Sequence, residues 1–399
     1  MSRKKILLVA HDVTLAHVGR PLRLGGLLHA DGHDVVLATS ADSNRFLTGF
    51  PGTTLTLVPT GKAQFIKNLA KGRPVFDLPT LRHYAEEDEA LLKAVKPDLV
   101  IGDFRITLSI TARRQGVPYA TLTNAYWSPA FTPRFIVPDL PMVRFLGVRL
   151  SQAIFDAVRP IAFAVHCRPM DALRRHYGLP PLAPDLRRVY TDADLALFSD
   201  IPEVYGLNGN IPGGHFLGPV CWSPAVPLPD WWPALDPRKP LIYVTLGSSG
   251  DGRLLPRLIQ RLARPGLQLA VATAGASIGA TGPDVFCSDF LPGDALASRA
   301  ALVICNGGSP TCAQALTAGV PVLGVPGNLD QYLNMHYLEN LGVGLSLRNR
   351  ELSSRNLSHT VQRLLEEASF TNAARELATT IARYDLAERL REAVRRLTG

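Results

Sequence analysis

Short, wholly apolar runs alternate along this chain with longer stretches whose apolar positions recur every three or four residues. Near the start, KKILLVA is followed by PLRLGGLLHADGH and then by DVVLAT. The first and third segments read as strands, and the middle one as a helix ended by Gly32. The same strand-helix-strand unit returns at PDLVIGD, at the helical stretch Ile106 to Arg114 with VPYATLT beyond Gly116, and at DADLALFS. Such alternation predicts an α/β fold, a parallel sheet covered by helices on both faces.

A second series, LIYVTLG, LQLAVAT, DVFCSD, ALVICNGG and VPVLGVP, comes after a proline-rich stretch, SPAVPLPDWWPALDPRKP. The expected organisation is a first domain over 1-222, a linker over 223-239 and a second domain over 240-380. Residues 352-398 are helical by pattern, and 381-399 are expected to form a helix returning to the first domain. Between Tyr126 and about Leu150 the sequence is rich in aromatic residues and proline and fits neither helix nor strand. It is expected to form an irregular wall or a surface loop.

A length of 399 residues suits two domains rather than one core. The composition, 46% apolar and 19% charged, is that of a globular chain. The opening MSRKKILLVA stops at His11-Asp12 without a long apolar region, and no later run reaches the roughly 18 residues of a spanning helix, so a cytoplasmic protein is expected. The five cysteines are odd in number and scattered, which argues against a disulfide framework or a zinc site. No metal is expected from the carboxylates and histidines either. The formal charge of +8 comes from dispersed arginines. It suits a solvated surface, a phosphorylated substrate or weak peripheral contact with an anionic membrane, and nothing in the pattern points to nucleic acid.

Chemistry concentrates where strands end. The strand ALVIC runs into Asn306-Gly307-Gly308-Ser309-Pro310-Thr311 and then a helix. The glycines permit close backbone approach, Ser309 or Thr311 can cap the helix, and its N-terminus favours an anion. The first strand of that half ends in Gly247-Ser248-Ser249-Gly250, a second small-residue loop on the sheet edge where α/β proteins bind ligands.

A more specific pattern spans this half of the chain. Phe290-Leu291-Pro292, Gly307-Gly308-Ser309, Gly319-Val320-Pro321, Pro326, Asp330-Gln331, Asn334 and Gly342, in this order, resemble the donor-binding signature of the nucleotide-sugar glycosyltransferases that include plant secondary-metabolite, macrolide and sterol enzymes. The resemblance implies the GT-B fold, two Rossmann-like domains facing each other across a cleft. It implies a UDP- or TDP-sugar as co-substrate and no cofactor. Leu291 would meet the nucleobase through its backbone, Gly308 and Ser309 would hold the diphosphate, and Asp330 with Gln331 the sugar hydroxyls; Gly247, Ser248, Phe290, Asn306 and Gly307 are further donor-site candidates. The family usually carries His where this chain has Asn306, whose amide donates a hydrogen bond but no charge.

In the first half, HDVTLAHVGRP precedes a helix expected to start at Pro21. In the resembling enzymes a His just upstream of such a proline is the general base, which points to His17, with His11 as the alternative. Asp103, ending PDLVIGD on the same sheet edge, would fix the imidazole tautomer and support the cation. The implied reaction is a single inverting displacement of a hexose or deoxyhexose onto a hydroxyl of a small apolar acceptor. Tyr126, Trp127, Phe131, Phe135 and Phe145 are candidate acceptor contacts. Other readings are a sugar-nucleotide epimerase, a non-catalytic partner protein that kept the fold, and a peripheral enzyme acting on lipid. The chain is expected to be a monomer or homodimer.

Overall fold

The computed structural model of the chain describes residues 2-59, 61-70, 72-279 and 282-399. It divides into two compact units. The first is built on seven parallel strands, β1 (Lys5–Ala10), β2 (Asp34–Ser40), β3 (Thr53–Leu57), β4 (Leu99–Asp103), β5 (Tyr119–Thr123), β6 (Leu195–Phe198) and β7 (Gly214–Phe216). Their order is β3-β2-β1-β4-β5-β6-β7. The second has six, β8 (Leu241–Thr245), β9 (Gln268–Ala272), β10 (Val285–Ser288), β11 (Leu302–Cys305), β12 (Val322–Gly324) and β13 (Gly344–Ser346), in the order β10-β9-β8-β11-β12-β13. Every pairing is parallel, with registers such as Leu8 opposite both Leu37 and Ile101, and Ile304 opposite both Val244 and Leu323.

The apolar runs explain the sheets. Ile6 to Ala10 of β1 and Leu241 to Thr245 of β8 are buried along their whole length, because helices cover both faces. Each unit keeps its own core. Leu7, Val9, Val36, Leu92 and Val100 form part of one, and Val244, Leu269, Ile304, Leu323 and Leu357 part of the other.

Both sheets reverse direction once. In the first, the chain moves outward from β1 and returns to place β4 on its other side; in the second, β8 and β11 stand in the same relation. At these two points neighbouring loops diverge at the carboxyl ends of the strands and leave room for a ligand.

The units are discontinuous in sequence. The first comprises residues 1-132, 154-220 and 385-399, and the second 133-153 and 221-384. Residues 133-153 were expected with the first domain, but they group with the second. There Arg348 donates to Asp139 at 2.7 Å and to the Val137 carbonyl at 2.9 Å, and Arg350 donates to the Val143 carbonyl at 3.2 Å. The last helix, Leu386–Thr398, is tied into the first unit by Lys4 Nζ donating to the Thr398 carbonyl at 3.3 Å, His215 Nε2 to the Arg389 carbonyl at 2.9 Å and Arg391 Nε to Asp31 at 2.9 Å.

Two elements depart from the sequence pattern. The first helix spans Ala16–Ala30, so Pro21 lies inside it rather than at its start. Its N-terminus lacks a side-chain cap, which removes the signal that marks a helix beginning. The stretch expected to stay irregular to Leu150 becomes helical at Pro141 and continues to His176, broken at Gly147 (φ 72°, ψ 171°) and carrying Pro160 and Pro169.

Candidate functional site

Five side chains meet along the carboxyl edge of β1, β4, β5 and β6, which are adjacent in the first sheet. His17 and Arg20 lie one turn apart on the helix after β1, and this spacing sends both toward the end of β4. There Asp103, with no exposed side-chain surface, accepts from His17 Nδ1 at 2.6 Å. Arg20 donates to the same carboxylate twice, through Nε to Oδ2 and Nη2 to Oδ1, both at 2.8 Å. Arg20 Nη2 also comes within 3.1 Å of His17 Nδ1. The tautomer that gives its Nδ1–H to Asp103 leaves the lone pair on Nε2, where a general base needs it.

The line of contacts continues beyond Arg20. Its Nη1 donates to Asn124 Oδ1 at 3.2 Å, and Asn124 Nδ2 donates to Asp200 Oδ1 at 2.8 Å. Asp200 also accepts from the Ala125 N–H at 2.6 Å. Desolvation pushes the Asp200 carboxyl up to about 6, against the lowering effect of these donors. An acid held above its unfolded value near 3.9 adds stability that is fully present below about pH 4 and is lost as pH rises through about 6. Melting temperatures at pH 4.5 and 7 are expected to show a smaller fall in Asp200→Asn than in the parent, and an equal fall refutes the assignment.

Backbone strain marks the same place. Phe104, next to Asp103, has φ +60°, which is costly for a residue with a Cβ. Arg105 locks that turn: it is 1% exposed and donates to Asp88 at 2.8 Å, Glu87 at 2.7 Å and the Tyr84 carbonyl at 3.2 Å. The strained turn lays the Phe104 ring against the His17 imidazole, 4.9 Å between centroids and 16° from parallel. Phe104 also meets Phe76 and Tyr190, which line a small apolar pocket with Ile106, Met170, Val189 and His166.

His11 is placed differently. It is 1% exposed and enclosed by Phe76, Tyr84 and Phe104, and its Nδ1 accepts from the Val13 N–H at 3.3 Å. Burial first, then Arg105 and His17, hold its pKa well below the usual imidazole value. Asp103 touches His17 and not this ring.

The five aromatic candidates do not form one wall. Tyr126 has no exposure and Phe135 only 2%, so both are packing residues. Phe131 packs on Tyr205 beside Phe198 and Phe216. Phe145 is 81% exposed. Of the three candidates in the first unit, Trp127 approaches the pocket, standing edge-on to Tyr190 at 5.2 Å.

In the second unit the loops after β8 and β11 flank the reversal point, and Asn306 ties them together. Its Nδ2 donates to Ser249 Oγ at 3.0 Å, and its Oδ1 accepts from the Gly308 N–H at 3.0 Å. The Gly308 N–H, expected at the diphosphate, donates here to Asn306. The helix cap is corrected as well. Gly308 occupies the N-cap position of Ser309–Thr317, without a side-chain cap bond, so neither Ser309 nor Thr311 caps it. The helix's positive end still opens beside Gly247 and Ser248 at the sheet edge.

Gly307 is required twice. Its φ is +76°, and a Cβ there would lie 2.6 Å from Met335 Cγ. Gly307→Ala is expected to lose roughly 2–4 kcal/mol of stability by combining left-handed strain with overpacking. A urea titration reads this, and a loss below about 0.5 kcal/mol refutes the packing account.

Asn334 Nδ2 holds the Gly307 carbonyl at 2.8 Å, so the shared motif residue fixes loop shape. Asn328 caps the helix Leu329–Asn340 through the Gln331 N–H at 3.1 Å, with Asp330 in its first turn. Gln331 is 2% exposed; its Oε1 accepts from Gly327 N–H at 2.8 Å and its Nε2 reaches Ser249 Oγ at 3.4 Å. Leu291 is buried and Phe290 partly so at the turn after β10. Among the described residues no group of His, Cys, Asp and Glu is arranged to hold a metal ion, and no helix is long and apolar enough to cross a membrane.

Residues 268-390 match the family model described as Erythromycin biosynthesis protein CIII-like, C-terminal domain. The PGL/p-HBAD biosynthesis glycosyltransferase of Mycobacterium tuberculosis is 43% identical over 94% of this chain and 88% of its own. The PGL/p-HBAD biosynthesis rhamnosyltransferase of Mycobacterium bovis is 42% identical over 96% and 85%. Among solved structures, Spinosyn Rhamnosyltransferase SpnG complexed with thymidine diphosphate superposes with a TM-score of 0.71 at 18% identity, covering 98% of this chain and 99% of that one. The fold is therefore GT-B, and with identity of this extent to named enzymes the chain belongs to the nucleotide-sugar glycosyltransferases of the UDP-glycosyltransferase and macrolide glycosyltransferase type.

Proposed function

We propose that this glycosyltransferase moves a deoxyhexose, with rhamnose the first to test, from a TDP-sugar to a hydroxyl of an apolar acceptor, by a single inverting displacement. The observation that carries the reading is the His17–Asp103 contact of 2.6 Å, with Asp103 buried and clamped by Arg20. His17 Nε2 takes the acceptor proton as the oxygen attacks the anomeric carbon. Asp103 holds the ring and offsets the charge formed, as an orienting carboxylate does in a triad. Arg20 is a positioning residue: it touches Asp103 and the Nδ1 side of His17, not the Nε2 that takes the proton.

The acceptor's apolar body lies along Phe104, Tyr190 and the pocket behind them, with Trp127 at its edge. On the donor side, Gly247, Ser248, Asn306, Gly307 and Ser309 take the diphosphate, Phe290 and Leu291 the base, and Asp330 and Gln331 the sugar. Gln331 exchanges its bond to Gly327 for a sugar hydroxyl when donor binds. The preference for thymidine over uridine draws support from the thymidine diphosphate held by the similar structure, and the sugar from the relative named as a rhamnosyltransferase.

A second reading, a partner protein without turnover, is favoured by one observation. Asn306 spends its amide on joining two loops and supplies no positive charge where the resembling enzymes have His. Thermal shift with TDP, UDP and GDP, followed by detection of diphosphate released from TDP-rhamnose with an apolar phenol, separates the two. A shift with TDP and acceptor-dependent release support the proposal. A shift without release for any TDP-sugar moves the balance to the partner protein, and no shift with TDP overturns the donor assignment.

A further inference from the structure

One polar side chain lines the pocket behind Phe104 and takes no part in the chemistry above. Every wall of this pocket belongs to the first unit. Two of the walls are helical: His166, Pro169 and Met170 stand at i, i+3 and i+4 on one helix, and Leu186, Val189 and Tyr190 repeat the spacing on another. Among the lining side chains only His166 and Tyr190 carry polar atoms.

His166 Nδ1 lies 2.7 Å from the Ala162 carbonyl, one turn back on its own helix. A carbonyl oxygen only accepts, so Nδ1 carries the proton and, in the neutral ring, Nε2 holds the lone pair. The ring is half-buried, and among the described residues no other protein group bonds it. With the Nδ1 edge spent on the helix, Nε2 is the edge left for the pocket.

A lone pair in an apolar wall constrains what fills the space. Covering it without a donor costs its desolvation, so the ligand that fits brings a hydroxyl to that point. The space is about 300 Å³, at the lower end of the range for ligand pockets. Phe76 and Tyr190 line it, and both meet Phe104, the ring stacked on His17. Such rings favour a flat aromatic partner in offset or edge-on contact. The pocket therefore stands one ring away from the base.

We propose that His166 determines acceptor specificity, and that the pocket takes a compact aromatic compound with two hydroxyls. One hydroxyl meets His17 Nε2 and receives the sugar, and the other donates to His166 Nε2. The first contact rests on the transfer reading above; the second needs no turnover.

Hydroquinone and 4,4′-dihydroxybiphenyl, each compared with its monomethyl ether, test this. The ether keeps one transferable hydroxyl and has no hydrogen to give at the other end. At pH 8, calorimetry reads binding and diphosphate release from TDP-rhamnose reads kcat/KM. The diol of fitting length is expected to exceed its ether about tenfold in both. His166→Phe, which fills the same space without a lone pair, is expected to reduce the ratio to about twofold, the statistical advantage of a symmetric diol, with the TDP-induced thermal shift unchanged. His166→Gln, whose Oε1 accepts, is expected to keep part of the preference, whereas a role in packing alone would weaken diol and ether alike. A parent without preference for either diol, or His166→Phe that retains it, overturns the proposal. Preferential diol binding without sugar transfer removes the transfer reading and leaves the His166 contact standing; equal transfer to diol and ether does the reverse.

Discussion

His17→Ala is expected to lower kcat by about 10²–10⁴-fold while leaving the TDP-induced thermal shift intact. The reason is local. His17 is the imidazole whose Nδ1 lies 2.6 Å from a buried carboxylate, and it belongs to the first unit, whereas the loops proposed to hold TDP belong to the second. Asp103→Asn is expected to fall in the same range. An asparagine amide that donates to Nδ1 stabilises the other tautomer and removes the lone pair from Nε2. His11→Ala serves as the comparison: loss of a packed ring costs stability, and turnover corrected for folded protein is expected to stay within about threefold of the parent. If His17→Ala keeps near-parental turnover while His11→Ala loses it, the assignment of the base is reversed.

The second large effect concerns the clamp. Arg20→Ala leaves Asp103 buried, charged and without its bidentate partner, and is expected to lower stability by about 3–5 kcal/mol. Arg20→Ala/Asp103→Ala is expected to be less destabilised than the sum of the single variants, because each single change leaves the other charge exposed to an apolar interior. Urea unfolding of the four proteins in the cycle measures the coupling. Strict additivity would mean that the fork seen between Nε, Nη2 and the carboxylate does not stabilise the fold. Arg20→Lys, which keeps the charge but cannot make the paired bonds, is expected to fold and to lose kcat rather than donor affinity.

Legibility in the sequence tracked the length scale of each signal. The sheets were readable because a strand buried on both faces is apolar at every position, as in Ile6 to Ala10. The loops proposed to hold the donor stand out in the sequence because their chemistry is contiguous: Gly307, Gly308 and Ser309 are neighbours, and Asp330 and Gln331 come shortly beyond them. Their internal use does not. Nothing in the order of residues says that Asn306 ties Ser249 to Gly308, since that depends on β8 and β11 lying side by side.

The dyad partners were half legible. Asp103 announces itself at a strand end, but Arg20 reads as one more dispersed arginine until the helix is known to begin at Ala16 and to aim it at β4. Asn124 and Asp200 come from the ends of two further strands and carry no local signature. The aromatic stretch misled because composition reports that rings are present without reporting their direction; Tyr126 turns inward and Phe145 outward. Phe104, which stacks on His17, and Phe76 and Tyr190, which meet Phe104, stand 28 or more residues apart in sequence.

The discontinuity of the first unit bears on how the chain is made. Domains fold as units, and the N-terminal part emerges first during synthesis. Here the unit carrying His17 and Asp103 also needs the helix Leu386–Thr398, whose Leu390, Ala393 and Val394 are buried, whereas the second unit draws on nothing beyond residue 384. A ribosome therefore finishes the part expected to hold the donor before it can finish the part expected to hold the base. The second unit is thus complete in sequence before the helix Leu386–Thr398 is added, and the surroundings of His17 and Asp103 are sealed only once that helix has been made.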